Sequence, residues 1–245
     1  MGNWRTELET YGHGSTKDLN PVFGCRIVAG LRLYQDRHGA RPKFVSGVRS
    51  YEKQKQLYAR YRAGKGNTAA NPDRKRSDGR VGSNHMQQPG HIADVKLADG
   101  TTYEYRDFGH AVDLSTKHLG SNAWRDLDAC MVEYGTILTV GAKRDSSGLT
   151  IGPSGRGQFE NWHREINRHY RPDLFKTFAL ADVMLTGMPG IHAGMDAAQK
   201  IVQFKKISMA VWNKRYPGQK RDMSGRIDAR EWPVITDTVQ FLARL

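Results

Sequence analysis

Glu160 and His163 stand three positions apart in the run FENWHREI. That pairing matters for one kind of chemistry. A metal centre that hydrolyses amides needs neutral imidazole and carboxylate ligands, an open coordination position, and a carboxylate that is not a ligand. The free carboxylate takes a proton from water and later delivers it to the leaving amine. Glu-x-x-His supplies such a base beside a ligand, although the spacing alone is common. Further ligand types crowd the stretch Ser83–Ser115, which holds His85, His91 and His110 together with Asp94 and Asp113. One ion does not need so many, and residue type alone does not choose among them. A third piece, SGVRSYEKQ over residues 46–54, brings Arg49.

The order of these pieces narrows the reading. Ser46-Gly47-Val48-Arg49-Ser50, Ser83-Asn84-His85, Gly109-His110-Ala111-Val112-Asp113 and Glu160-Asn161-Trp162-His163 follow one another along the chain. This arrangement resembles the VanY-type zinc D-alanyl-D-alanine carboxypeptidases, a family that includes phage endolysins cutting L-Ala–D-Glu bonds. The run GKGNTAANP before Ser83 is similar to actinobacterial and actinophage members. The resemblance covers about residues 40–170 and implies one zinc ion held by His85, Asp113 and His163. It also implies Glu160 as general base and acid, and Arg49 facing the scissile carbonyl to stabilise the developing oxyanion. Trp162 and Ser83 are the expected substrate-side residues, Trp162 lining the pocket and Ser83 bonding near the metal.

Two departures stand out. Asn161 replaces the family's proline, at a position that is not a ligand. His85 and Asp113 are 28 positions apart, where the family pattern S-x-H-x-x-G-x-A-x-D sets them seven apart. Met86–Phe108 therefore reads as an insertion, expected to turn at Asp99-Gly100 and to form a wall of the substrate cleft. Within it, Gly90-His91-Ile92-Ala93-Asp94 has Ala and Asp adjacent, so the alternation fails and His91 and Asp94 are set aside. His110 would share a strand face with Val112, opposite Asp113, and so is not expected to be a co-ligand. His13, His38, His118, His169 and His192 lack partners at motif spacing.

The elements that must position these residues are partly legible. Asn20-Pro21 starts a helix over 20–38 with Phe23, Ile27, Leu31 and Tyr34 at helical spacing. Lys43–Val48 is a short strand, and YEKQKQLYARYRAG is a helix stopped by Gly64. Residues 64–82 read as a loop. IADVKL and TTYEY flank Asp99-Gly100, a hairpin signal. HAVDL and TILTVG are strands, and 121–134 is a helix capped by Ser121 or Asn122. DSSGLTIGPSGRGQ reads as a polar, glycine-rich loop. The chain changes character near 176–194, with helices from Asp196 to Asn213 and from about Trp232 to Leu245 around a break at Tyr216-Pro217-Gly218. The expected architecture is α+β. A small antiparallel sheet with packed helices, of the hedgehog/D-Ala-D-Ala peptidase type, spans 1–175, and a small helical domain spans 190–245. The run DMSGRIDAREWPVI has a faint likeness to peptidoglycan-binding modules, which would hold the enzyme on an insoluble substrate.

Composition sets the outer bounds. The 245 residues are 38% hydrophobic and 26% charged, an ordinary globular composition. No stretch approaches a membrane span, and MGNWRTELETYGHG lacks the apolar core of a secretory signal. With the resemblance, this fits a monomeric lysin made in the host cytoplasm and acting on cell-wall peptidoglycan. Cys25 and Cys130 sit in no zinc or redox pattern and read as small buried hydrophobes. The formal charge of +13 suits an anionic partner. It supports an alternative reading, a basic nucleic-acid-binding protein or metal-dependent nuclease. No nucleic-acid-binding signature accompanies it, so no nucleic-acid partner is expected. A wall-binding protein without catalysis is the other alternative, and a free Glu160 argues against it.

Overall fold

The structure is a computed structural model that describes residues 4–156, 158–215 and 231–243. The described residues form an α+β fold in which a four-stranded antiparallel sheet is packed with helices. Its strands are β1 (Lys43–Ser46), β4 (Ala111–Ser115), β8 (His163–Ile166) and β5 (Thr136–Leu138), in that spatial order. Alternation along β4 sends Val112 and Leu114 to one face and Asp113 to the other. The first face, with Phe44 of β1, joins the hydrophobic core. There α2 (Pro21–His38) packs on α4 (Ala123–Val132), α5 (Leu174–Leu185) and α1 (Trp4–Glu9). Arg164 of β8 also points inward and pairs with Asp128 of α4, both side chains buried.

The start of α2 is built as the sequence suggests. Asn20 Oδ1 accepts from the backbone N–H groups of Val22 and Phe23, and Pro21 occupies the first turn, where its missing N–H costs nothing. Ser50 caps α3 (Tyr51–Arg62) in the same way. The cap expected at Asn122 makes no side-chain bond at the start of α4. Cys25 and Cys130 are buried and free.

One loop reading is corrected. The polar run 145–158 begins in a hairpin of β6 (Ala142–Arg144) and β7 (Thr150–Pro153). Its turn is closed by Asp145 Oδ1, which accepts from the N–H groups of Ser147 and Leu149. A hairpin largely exposed on both faces needs no apolar alternation, so its composition looked like a loop. Residues 64–82 lie outside regular elements but are tied down: Gln54 Nε2 donates to Ala70 O, Tyr51 Oη to Asp73, Gly82 N to Arg74 O and Arg76 N to Arg80 O.

The insertion does form a hairpin, β2 (Val95–Lys96) with β3 (Thr102–Tyr103), turning at Asp99-Gly100. It packs beside α2 and α7 (Glu231–Ala243) rather than along the cleft described below. Asp99 pairs with buried Arg26 of α2 at 2.5 Å and accepts from Trp232 Nε1 of α7 at 3.0 Å. Gln240 of α7 donates to Thr102 O. Helix α6 (Ala197–Arg215) packs on α5. The expected break at 216–218 and most of DMSGRIDAREWPVI lie outside the described residues. No helix among the described residues is long and apolar enough to cross a membrane.

His110 is fully enclosed by this arrangement. Its Nε2–H donates to Tyr105 O, its Nδ1 accepts from Tyr103 Oη, and both tyrosine rings pack on it. Burial, only partly offset by the bond to Tyr105, lowers it from 6.5 to about 3. Between those values the unfolded chain binds a proton that the folded chain refuses, so stability falls as pH falls from 6.5 toward 3. A loss on the order of a few kcal/mol is expected over that window. Urea unfolding at pH 7 and pH 4 should show it, with a smaller difference in His110→Gln; an equal difference in both proteins would remove His110 as the cause.

Candidate metal centre

The sheet brings the motif residues into one row. Register pairs Ser46 of β1 with Asp113 of β4, and Asp113 with His163 of β8. Directly paired residues share a face, with Cβ atoms roughly 5 Å apart. Asp113 and His163 are therefore brought together by strand pairing across 50 positions of sequence. Glu165, two residues beyond His163, lies on that face as well.

His85 reaches the row from the loop before the insertion. Arg49 N donates to its backbone carbonyl at 2.7 Å, and His110 N donates to Asn84 O at 2.6 Å. The glycines of the two flanking motifs are themselves closely packed. A Cβ on Gly47 would lie 2.0 Å from Ser15 O, and one on Gly109 would lie 2.7 Å from Val48 Cγ2.

His85 Nε2, Asp113 Oδ1 and His163 Nδ1 form a triangle with all three edges at 3.2 Å. Each side chain is held from behind. His85 Nδ1–H donates to Gly47 O at 2.8 Å, and His163 Nε2–H donates to Glu165 Oε1 at 3.0 Å. Glu165 in turn accepts from Asn84 Nδ2 at 2.6 Å. Asp113 Oδ2 accepts from Arg49 Nη2 at 2.7 Å, while Arg49 Nε donates to Ser46 Oγ. With the outer ring nitrogens donating, the inner ones present lone pairs toward the carboxylate oxygen. Such outer partners fix tautomer and ring orientation in metal sites.

The donor set fits a metal ion. One triangular face of a tetrahedron with bonds of about 2.0–2.1 Å has edges of about 3.3–3.4 Å, close to those observed. His/Asp/His is a borderline N/O set of the kind divalent transition metals occupy. Burial opposes charge on His163, yet its bonds to Asp113 and Glu165 prevail and hold it up to about 10. Burial would raise Asp113, but the charge of His85 and the bond to His163 take it far below the carboxylate range. Burial lowers His85 despite Asp113.

A cleft of about 1010 Å³ opens over this triangle and is lined by Arg49, Ser83, Glu160, Trp162 and Glu165 as well as the three converging residues. A second hollow of about 710 Å³ shares Arg49, Asn67, Asp113 and Trp162 with it and extends past Ser115 to Trp124. The centre thus has an arm on each side. Glu160 is placed by its backbone N–H, which donates to Val140 O. Its carboxyl is raised by burial and by Asp113, against His163 and Arg49. Ser83 Oγ accepts from His85 N within the loop.

All seven residues singled out in the sequence meet here: Arg49, Ser83, His85, Asp113, Glu160, Trp162 and His163. His91, Asp94 and His110 do not line the cleft. No residue of the expected insertion wall, 86–108, lines either hollow. Glu165 and Asn84 were missed. The His-x-Glu spacing on a strand is the local signal for Glu165; Asn84 had none. A scan against protein-family models finds no match, and no curated protein matches the sequence.

Proposed function

We propose that the chain is a zinc-dependent peptidase that hydrolyses peptide bonds of peptidoglycan stem peptides, a cell-wall lytic enzyme of the phage endolysin kind. The observation that carries this reading is the 3.2 Å triangle of His85, Asp113 and His163 on the floor of a cleft that Glu160 also lines. The motif order resembling the VanY-type peptidases adds the substrate class.

His85, Asp113 and His163 would hold the ion, which when bound supplies Lewis-acid chemistry at the floor of the cleft. Glu160, not needed as a ligand, accepts the proton of the attacking water and passes it to the leaving amine. Its raised proton affinity suits a group that must both take and return a proton. Arg49 has a double task. Nη2 orients Asp113, and Nη1, with only a 3.4 Å contact to Gln54 Oε1, is left to face the developing oxyanion. Trp162, at the junction of the two arms, packs against the substrate chain.

The protein is proposed to act as a monomer on the wall after synthesis in the host cytoplasm. A wall-binding role for 190–245 is part of the proposal. The Asp99–Trp232 and Thr102–Gln240 contacts would hold this segment against the catalytic part while it binds.

Purified peptidoglycan incubated with the zinc-loaded protein should release peptides detectable by mass spectrometry. Release should stop on chelation and resume with zinc, and the product masses identify the bond. Absence of release, or cleavage of plasmid DNA instead, overturns the reading, the latter in favour of a nuclease.

A further inference from the structure

We infer that the cleft wall made by the end of α3 and residues 64–76 is a subsite for a free carboxylate on the substrate, so that the enzyme discriminates against substrates amidated there. The inference rests on the peptidase reading and names a feature of the substrate that the metal centre alone does not.

Arg60, Lys65, Arg74 and Arg76 line the cleft on this side. Among the described residues, the side chains of Arg60, Lys65 and Arg74 have no ion pair or hydrogen bond. Arg76 donates only to Gly82 O, at 3.3 Å. The carboxylates lining the same cleft are Asp113, Glu160 and Glu165. Asp113 is engaged by Arg49 and the two histidines, and Glu165 by His163 and Asn84. Arg60, Lys65 and Arg74 therefore face the cavity unpaired, and of its three carboxylates only Glu160 has a side chain without an ion pair or hydrogen bond among the described residues. A charged wall on a cleft focuses the field on an anionic ligand.

These cations do not sit on a free tail. The bonds from Gln54 to Ala70, Tyr51 to Asp73 and Gly82 to Arg74 fix the segment that carries them. The opposite arm has one cation beyond Arg49, Lys117, beside Trp124 and Trp162. The demand for negative charge is thus one-sided. In a peptide substrate the anion is a carboxylate, and an amide would replace it with N–H donors facing donors.

The test uses zinc-loaded Glu160→Gln, so that ligands bind without turnover. Calorimetry compares a synthetic stem peptide bearing free carboxyl groups with the same peptide amidated. The free form should bind about tenfold tighter or more, as charge-assisted bonds in a partly dry cleft imply. In Lys65→Met/Arg74→Gln on that background the ratio should fall to within about twofold, with zinc content and melting temperature retained. Single variants Lys65→Met and Arg74→Gln serve if the pair does not fold. Equal binding of both peptides, or a ratio untouched by the variants, overturns the subsite. Hydrolysis of both peptides at equal rates by the wild type would remove the subsite and leave the peptidase standing. Neither binding nor cleavage of either would remove both.

Discussion

Glu160→Gln should retain the metal and lose hydrolysis of a peptidoglycan peptide by about 10²–10⁴-fold. The amide keeps the shape of the side chain and gives up its proton affinity. His85, Asp113 and His163 converge without Glu160, so metal content should be unchanged. His163→Ala should behave differently. It removes a triangle vertex and leaves Glu165 with Asn84 in place of the ring, so metal and activity are lost together. Metal analysis beside a peptide-release assay separates the two. If Glu160→Gln came out free of metal, Glu160 would be a ligand; if it kept full activity, the proton would travel by another group.

Asp99→Ala should cost stability, about 3–5 kcal/mol, through a site remote from the cleft. Arg26 is wholly buried on α2, and Asp99 is its carboxylate partner. Its other contacts, Gly135 O at 3.5 Å and the Tyr170 ring, leave its charge unneutralised. Removing Asp99 therefore strands a buried cation and the Trp232 N–H together. Arg26→Met combined with Asp99→Ala should recover much of the loss, because no buried charge then remains. Chemical denaturation of the four proteins of this cycle measures it. A small effect of Asp99→Ala alone would mean that water reaches Arg26. For the same reason, shortening the 86–108 hairpin should destabilise the fold rather than change substrate choice.

Local pattern carried much of the site. The alternation in Gly-x-Ala-x-Asp separates Asp113 from His110 because a strand turns successive side chains to opposite faces. The failure of that alternation in 90–94 set His91 and Asp94 aside, and both lie away from the cleft. Asn20 capping α2 and the turn at Asp99-Gly100 are equally local. Backbone conformation at those places is decided within a few residues.

What lay beyond the sequence depends on partners distant along the chain. Pairing of β4 with β8 puts Asp113 opposite His163, and that register is set by which faces the core must bury. The order of motifs implied their meeting, but the 3.2 Å triangle exists only through that pairing. Glu165 became the partner of His163 because both occupy the face that the core leaves open. The insertion shows the limit most clearly. Its sequence specified a hairpin, and its destination was chosen by a buried arginine on α2 and a tryptophan on α7, neither near it in sequence. A turn is a local minimum of backbone energy, whereas the surface on which it comes to rest is decided by which buried charge it neutralises.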